Sequence, residues 1–290
     1  MDTILDFLRT YSTTIALVGI SALLALSVWL TLYAGQLTLG NAAFMGVGAY
    51  VSALLGRHLD TPFPLALAIG AIAAAAVAFP LGLMVFRLRG VYLAIATLAF
   101  GEVVRVILLA TPITGKGQGL NGIPPKTDLW HIYLSLAVVA YVLWRTQGSR
   151  VGRAWAAIRE DELASASQGI AVGRHKLAAL VAGALIAGWA GGLSAHVTFS
   201  IDPSDFGFSK AVQILVFAVV GGIPNVLGPI VGASLLTALP ELLRPLKDYR
   251  DIFQGVILLL VIIYLPRGLV SFADVRRTRR LARIGAADVA

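Results

Sequence analysis

Apolar residues along the chain gather in long runs, not in the period-2 or period-3.6 alternation of half-buried soluble elements. The runs fall at about 14–33, 37–56, 64–86, 91–110, 130–146, 177–195, 209–221, 227–240 and 252–266. Most approach the roughly 20 helical residues that cross a hydrocarbon layer about 30 Å thick. The pattern predicts an all-α fold, a polytopic integral membrane helical bundle of about nine crossings. Two runs are expected to be re-entrant or broken. Run 37–56 carries Gly40, Asn41, Gly46 and Gly48, and run 209–221 is short and ends in the Gly-Gly-Ile-Pro turn of residues 221–224.

One window departs from this pattern. Between two apolar runs, residues 149–176 carry many of the chain's charges. Spaced at about 100° per residue, Val151, Ala154, Trp155, Ile158, Leu163, Ala166 and Ile170 fall on one half, with Arg150, Arg153, Glu160 and Asp161 on the other. The expectation is one amphipathic helix at about 152–169, too polar to span, ended by Gly169 and Gly173. Arg159 and Glu162 lie on the apolar side three residues apart, a spacing that allows them to pair. Two readings follow from the residues: a solvated linker whose charges anchor topology, or a docking helix in a groove of a cytoplasmic protein that passes its movement to the flanking spans.

Composition agrees with a lipid environment. Of 290 residues, 58% are hydrophobic and 13% charged, against about 25% charged in a soluble domain, and the mean hydropathy is +0.84. The net charge of +8 is not tied to any nucleic-acid motif or basic patch interleaved with aromatics. It is read as cationic flanks that hold helices in place. Placing the 149–176 connection and the basic tail 271–290 on one side gives that side twice as many lysines and arginines as the other. The expected topology puts the N-terminus outside and the C-terminus in the cytoplasm, with residues 1–270 as the membrane domain. The loop 196–208, with Asp202 and Asp205 and no lysine or arginine, then faces outward. Asp2 and Asp6 precede a first run too long for a signal-peptide core, so that run is expected to be retained.

Candidate chemistry is sparse. Cysteine is absent, which excludes disulfides, thiolate metal sites and cysteine nucleophiles. His58, His131, His175 and His196 lack metal-ligand spacing, and Gly-Lys-Gly-Gln-Gly at 115–119 lacks the spacing of a phosphate-binding loop. Ionisable groups inside spans are costly and mark candidates: Glu102 and Arg105, three apart, can pair, either lining a path or as a structural pair. Gln213 faces a cavity or bonds a neighbouring helix. Glycines 35, 40, 46 and 48, and 221, 222, 228 and 232, either break helices to expose polar backbone or let helices pack closely. Asn41, beside Gly40, is the leading candidate for a polar contact with a permeating solute, with Thr97 and Phe100 as companions.

Several segments in order resemble a known family. "GRAWAAIREDELASASQGI" (152–170) resembles the cytoplasmic loop of bacterial ABC importer permeases, in detail those for branched-chain amino acids, the LivM and LivH family. "GQLTLGNAAFMGVGAYVSALL" (35–55), "GVYLAIATLAFGEVVRVIL" (90–108), "TGKGQGLNGIP" (114–124) and "DPSDFGFSKAVQILVFAVVGGIPNVLGPIVGA" (202–233) resemble other segments of the same family. "AIREDE" favours its LivM-type half. The chain departs from the family pattern at Gly-Gly-Ile-Pro-Asn (221–225), at Lys116-Gly117 and at Asn41. These departures bear on the substrate more than on the architecture.

The resemblance implies the fold of the larger ABC importer permeases, in the bacterial inner membrane. It implies passage of branched-chain or related hydrophobic amino acids, with urea or short amides as the alternative cargo. An ion-coupled secondary transporter is the reading of another class, and it should show several intramembrane acids. The implied partners are a second, LivH-type permease, two ATP-binding cassette ATPases and an extracytoplasmic solute-binding protein. This chain would bind no cofactor and catalyse no reaction, with ATP and Mg held on the ATPases. Trp155, Arg159, Glu160, Asp161, Glu162 and Gly169 would couple to those ATPases, and Gly40, Asn41, Thr97, Phe100 and Glu102 would line the path.

Overall fold

The computed structural model describes residues 12–242, apart from 59, 60, 86 and 125, together with residue 255. The expected run 252–266, the connection 243–251 and the tail 271–290 lie outside the described residues, residue 255 excepted. Each apolar run within the described range forms a helix: α1 (Ser12–Tyr33), α2 (Asn41–His58), α3 (Phe63–Val85), α4 (Val91–Ala110), α5 (Leu129–Gln147), α8 (Val172–Thr198), α9 (Phe208–Gly221) and α10 (Leu227–Leu242). The polar window forms α6 (Arg150–Glu160) and α7 (Glu162–Ser167). Five of these, α1, α3, α4, α5 and α8, are long and apolar enough to cross a membrane, against the eight runs expected within the described residues. Helices α2, α9 and α10 are shorter or less apolar.

Burial sets the layers. Helix α1 has no polar face, and 83% of its apolar window is buried; it sits at the centre with α2 and α8. Helices α4 and α5 are only 22% and 11% buried and form the outside, where their exposed Ile95, Ile107, Trp130 and Trp144 suit contact with lipid. The centre is close because it is built of small residues. A methyl group on Gly48 of α2 would overlap the Gly188 carbonyl of α8, and one on Gly191 would overlap the Met45 carbonyl. In lipid, where burial of apolar surface no longer drives helices together, such backbone contact supplies the packing energy.

The second half of the first glycine group, Gly46 and Gly48, is therefore helical and packed, whereas Gly35 and Gly40 fall in a non-helical stretch. The second group divides in the same way: Gly221 and Gly222 flank a break, and Gly228 and Gly232 pack on Gly221 within α10.

Two ends of the bundle are distinct. At one, the end of α1, the loop before α4, the α5 C-terminus, α6, α7 and the turn at 222–226 meet, as the contacts of Trp29 with Ile223 and of Gln147 with Pro224 record. At the other, the 111–128 and 199–207 connections join. Here the all-α expectation needs one amendment: Leu120–Asn121 pairs antiparallel with Ser200–Ile201 in a two-residue ladder. Arg57 at the end of α2 donates to the Asn121 carbonyl at 3.1 Å, fastening this cap to the bundle.

Candidate functional site

The polar window is not one helix. Ser149 caps α6, its hydroxyl accepting from Gly152 N at 3.3 Å. At Asp161 the backbone turns extended (φ −152°, ψ 111°), and its carboxylate accepts from Leu163 N (2.9 Å) and Ala164 N (3.0 Å) to start α7. Gly169, at φ +82°, ends α7 with the left-handed geometry expected of a helix stop. Gly173 does not end it, because it already lies in α8.

The break decides which way the side chains point. Trp155 (6% exposed) and Ile158 (3%) face the bundle, and the Trp155 indole donates to the His175 carbonyl at 3.0 Å. Past Asp161 the helical phase is reset, so Leu163, expected on the same apolar half, is 68% exposed and borders a cleft with Arg89 and Val172.

The expected Arg159–Glu162 pair is absent for the same reason. Arg159 bonds Glu160 (3.2 Å), and its guanidinium lies 5.3 Å from the centre of the Tyr33 ring. Glu162 turns to Lys176, at 2.8 Å, and to Arg89, at 3.6 Å. Lys176 is almost wholly buried at the base of α8, while Arg89 belongs to the loop before α4. One carboxylate thus pins α7 to the ends of two different long helices.

Arg159 also touches the interior. Gly35 (φ +76°) packs so closely that a methyl group there would sit 3.0 Å from the Arg159 Cα. Gly35 opens the stretch between α1 and α2, which folds back into the bundle to the level of Ser27 and Thr97. Non-helical backbone at such depth needs internal partners. Thr97, fully buried, accepts from Leu39 N at 3.0 Å. Asn41 (2% exposed) donates to Ser27 Oγ at 3.0 Å and accepts from Thr38 Oγ1 at 2.9 Å. Phe100 stands 6.0 Å from Phe44, whose ring also lines Gly40.

Gly40, Asn41, Thr97 and Phe100 are thus brought together around the break. The Asn41 amide is committed to neighbours, while the Gln36 side-chain oxygen is buried there without a partner. Glu102 stands apart from them. Its carboxylate receives Arg105 Nε at 2.7 Å, the pairing expected from their spacing, and Phe208 N at 3.2 Å, so it also satisfies the first turn of α9.

A second break, at 222–226, is linked to the first. The Trp29 indole donates to the Ile223 carbonyl at 2.7 Å, and Trp29 stacks on Tyr33 at 4.9 Å, the ring beneath Arg159. A continuous contact therefore runs from α6 through Tyr33 and Trp29 to the second break. Sequence reasoning missed Tyr33, Trp29, Lys176 and Arg89 as parts of this site, because every contact involved except the Trp29–Tyr33 stack is long in sequence. It also passed over Lys210, a lysine inside an apolar run that the rule of costly intramembrane charge would have flagged.

A helical bundle with several apolar helices of spanning length and a short docked helix pair inserted between two of them is a multi-pass membrane protein. The model of the family described as "Branched-chain amino acid transport system / permease component" matches residues 10–262, and the chain belongs to that family. It is 35% identical over 271 residues to the high-affinity branched-chain amino acid transport system permease protein LivM of Escherichia coli (strain K12), covering 81% of this chain and 64% of that relative. LivM of Salmonella typhimurium (strain LT2) is similar to the same extent. The LivH permease protein of Escherichia coli (strain K12) is 30% identical over 152 residues, 51% of this chain and 48% of its own length. The chain thus spans 64% of the length of the LivM relatives. No solved structure matches the chain.

Proposed function

We propose that the chain is a LivM-type permease subunit of an ATP-driven importer for branched-chain or related hydrophobic amino acids. It works beside a LivH-type permease, two ATP-binding cassette ATPases that hold ATP and Mg, and an extracytoplasmic solute-binding protein. It lies in the bacterial inner membrane with the α6–α7 end in the cytoplasm, the N-terminus outside and the C-terminus inside.

The observation that carries this reading is the α6–α7 pair. Its Leu163 side chain is exposed, while its inner side is anchored by Trp155, Arg159 and Glu162 to α8, α1 and the loop before α4. A rigid-body push on such a pair moves the bases of several helices together, which is how a small displacement becomes alternating access. Neither this chain's residues nor its spacing supplies a phosphate-binding loop, so hydrolysis falls to the partners.

The test uses the absence of cysteine. In the assembled complex, Leu163→Cys should react with an impermeant maleimide only from the cytoplasmic face, and only after the ATPases are stripped off. Labelling from the outer face removes the orientation, and equal labelling with the ATPases in place removes the docking role.

A further inference from the structure

A cavity of about 660 Å³ opens at the end of the bundle opposite α6–α7, between α1, α2, α8 and the start of α9. Its volume lies within the range of small-molecule sites. Lys210, in the first turn of α9, lines it half-buried, and the described ion pairs include neither Lys210 nor the neighbouring Asp205. Asp205 acts on this ammonium only from beyond ion-pair distance, and a charge in a short apolar helix is costly until a closer partner arrives. The helix N-terminus adds to the positive potential at the same spot. Asp205 stands across from it in the 203–206 turn, exposed, with its carboxylate making only a long (3.4 Å) contact to Asp202 N. The remaining wall has two characters: Leu17, Met45 and Phe206 are apolar, whereas Ser194, Thr198 and Ser209 carry hydroxyls. Gln213, one turn below Lys210, also faces this space, which decides between the two roles its position allowed.

We infer that this cavity is a receiving site for a zwitterionic amino acid with an apolar side chain. Lys210 takes the α-carboxylate, Asp205 takes the α-ammonium, and Leu17, Met45 and Phe206 hold the side chain. The assignment deepens the permease reading and rests on it, since it gives the transported solute a place to lodge on release from the external binding protein. Separated opposite charges recognise both ends of a zwitterion, and a ligand lacking either end leaves one of the two groups without its partner. Urea and short amides carry no full charge and have no counterpart for Lys210.

The experiment places a reporter thiol in the cavity of a chain that has no cysteine of its own. Ser209→Cys, with Thr198→Cys as the alternative position, is introduced into the complete complex in proteoliposomes, and leucine uptake is measured beside the rate of maleimide labelling from outside. Leucine at roughly ten times its Kd should slow labelling about tenfold, the factor 1 + [L]/Kd. Leucinol, lacking the carboxylate, and isovalerate, lacking the ammonium, should give no protection at the same concentration. Lys210→Gln should abolish leucine protection while the thiol still labels, and Lys210→Arg should keep it. Unprotected labelling at both positions in a complex that still takes up leucine overturns the assignment and leaves the permease reading standing. Equal protection by leucine and leucinol overturns the role of Lys210. A complex that moves no branched-chain amino acid overturns the permease reading, and the assignment falls with it.

Discussion

Removing the carboxylate of Glu162 should release α7. Glu162→Gln leaves the Lys176 ammonium, whose side chain is 4% exposed, without the carboxylate 2.8 Å away. Stranding one member of a buried ion pair costs about 3–5 kcal/mol. Glu162 itself is 25% exposed and reached by water, so the lower figure applies. About 3 kcal/mol is roughly a hundredfold in an equilibrium constant, here the opening of α7. A helix of six residues has almost no stability of its own, so its hydrogen bonds persist only while it is docked. Hydrogen exchange at the amides of Ser165, Gln168, Gly169 and Ile170, which bond within this turn, should therefore quicken about a hundredfold in the purified complex. Adding Lys176→Met should restore most of the protection, because the stranded charge is gone and an apolar chain of similar length fills its place. The charge reversal Glu162→Lys should abolish substrate-stimulated ATP hydrolysis while the chain still inserts. Unchanged exchange in Glu162→Gln would refute the view that this carboxylate holds α7 to α8.

Three further outcomes can be checked by thermal unfolding of the purified permease. Asp161→Ala removes the acceptor of two backbone N–H groups and should cost about 1 kcal/mol, whereas Asp161→Asn should stay within a few tenths; equal Tm values for the two would show that the cap is idle. Thr97→Val strands the partly buried Leu39 N–H and should cost about 1–3 kcal/mol, while Thr97→Ser keeps the acceptor and the stability. Gly48→Ala drives a methyl group into the Gly188 carbonyl and should cost about 1–3 kcal/mol by forcing α2 away from α8; an unaltered Tm would contradict the close backbone packing described at the centre of the bundle.

What the sequence determined by itself is whatever depends on neighbours a few residues apart. The apolar runs become helices because a chain in lipid must satisfy its backbone internally, and the ends of α1, α4 and α9 fall within two residues of the expected boundaries. The Glu102–Arg105 pair, a single helical turn apart, was legible for the same reason, as was the amphipathic character of the 149–176 window. The Asp161 break was written in the chain as a helix cap, but a periodicity of about 100° per residue assumes one unbroken helix and carries Leu163 to the wrong side. Only the tertiary structure decided the rest. Glu162 meets Lys176 across 14 residues, Trp29 meets Ile223 across 194 and Glu102 meets the start of α9 across 106. Such pairings depend on how helices stack, and the stacking is decided jointly by small residues on several helices at once. The cavity beside Lys210 is a mixed case: most of its wall comes from the single stretch 194–213, and only the stacking of the helices brings Leu17 and Met45 against it.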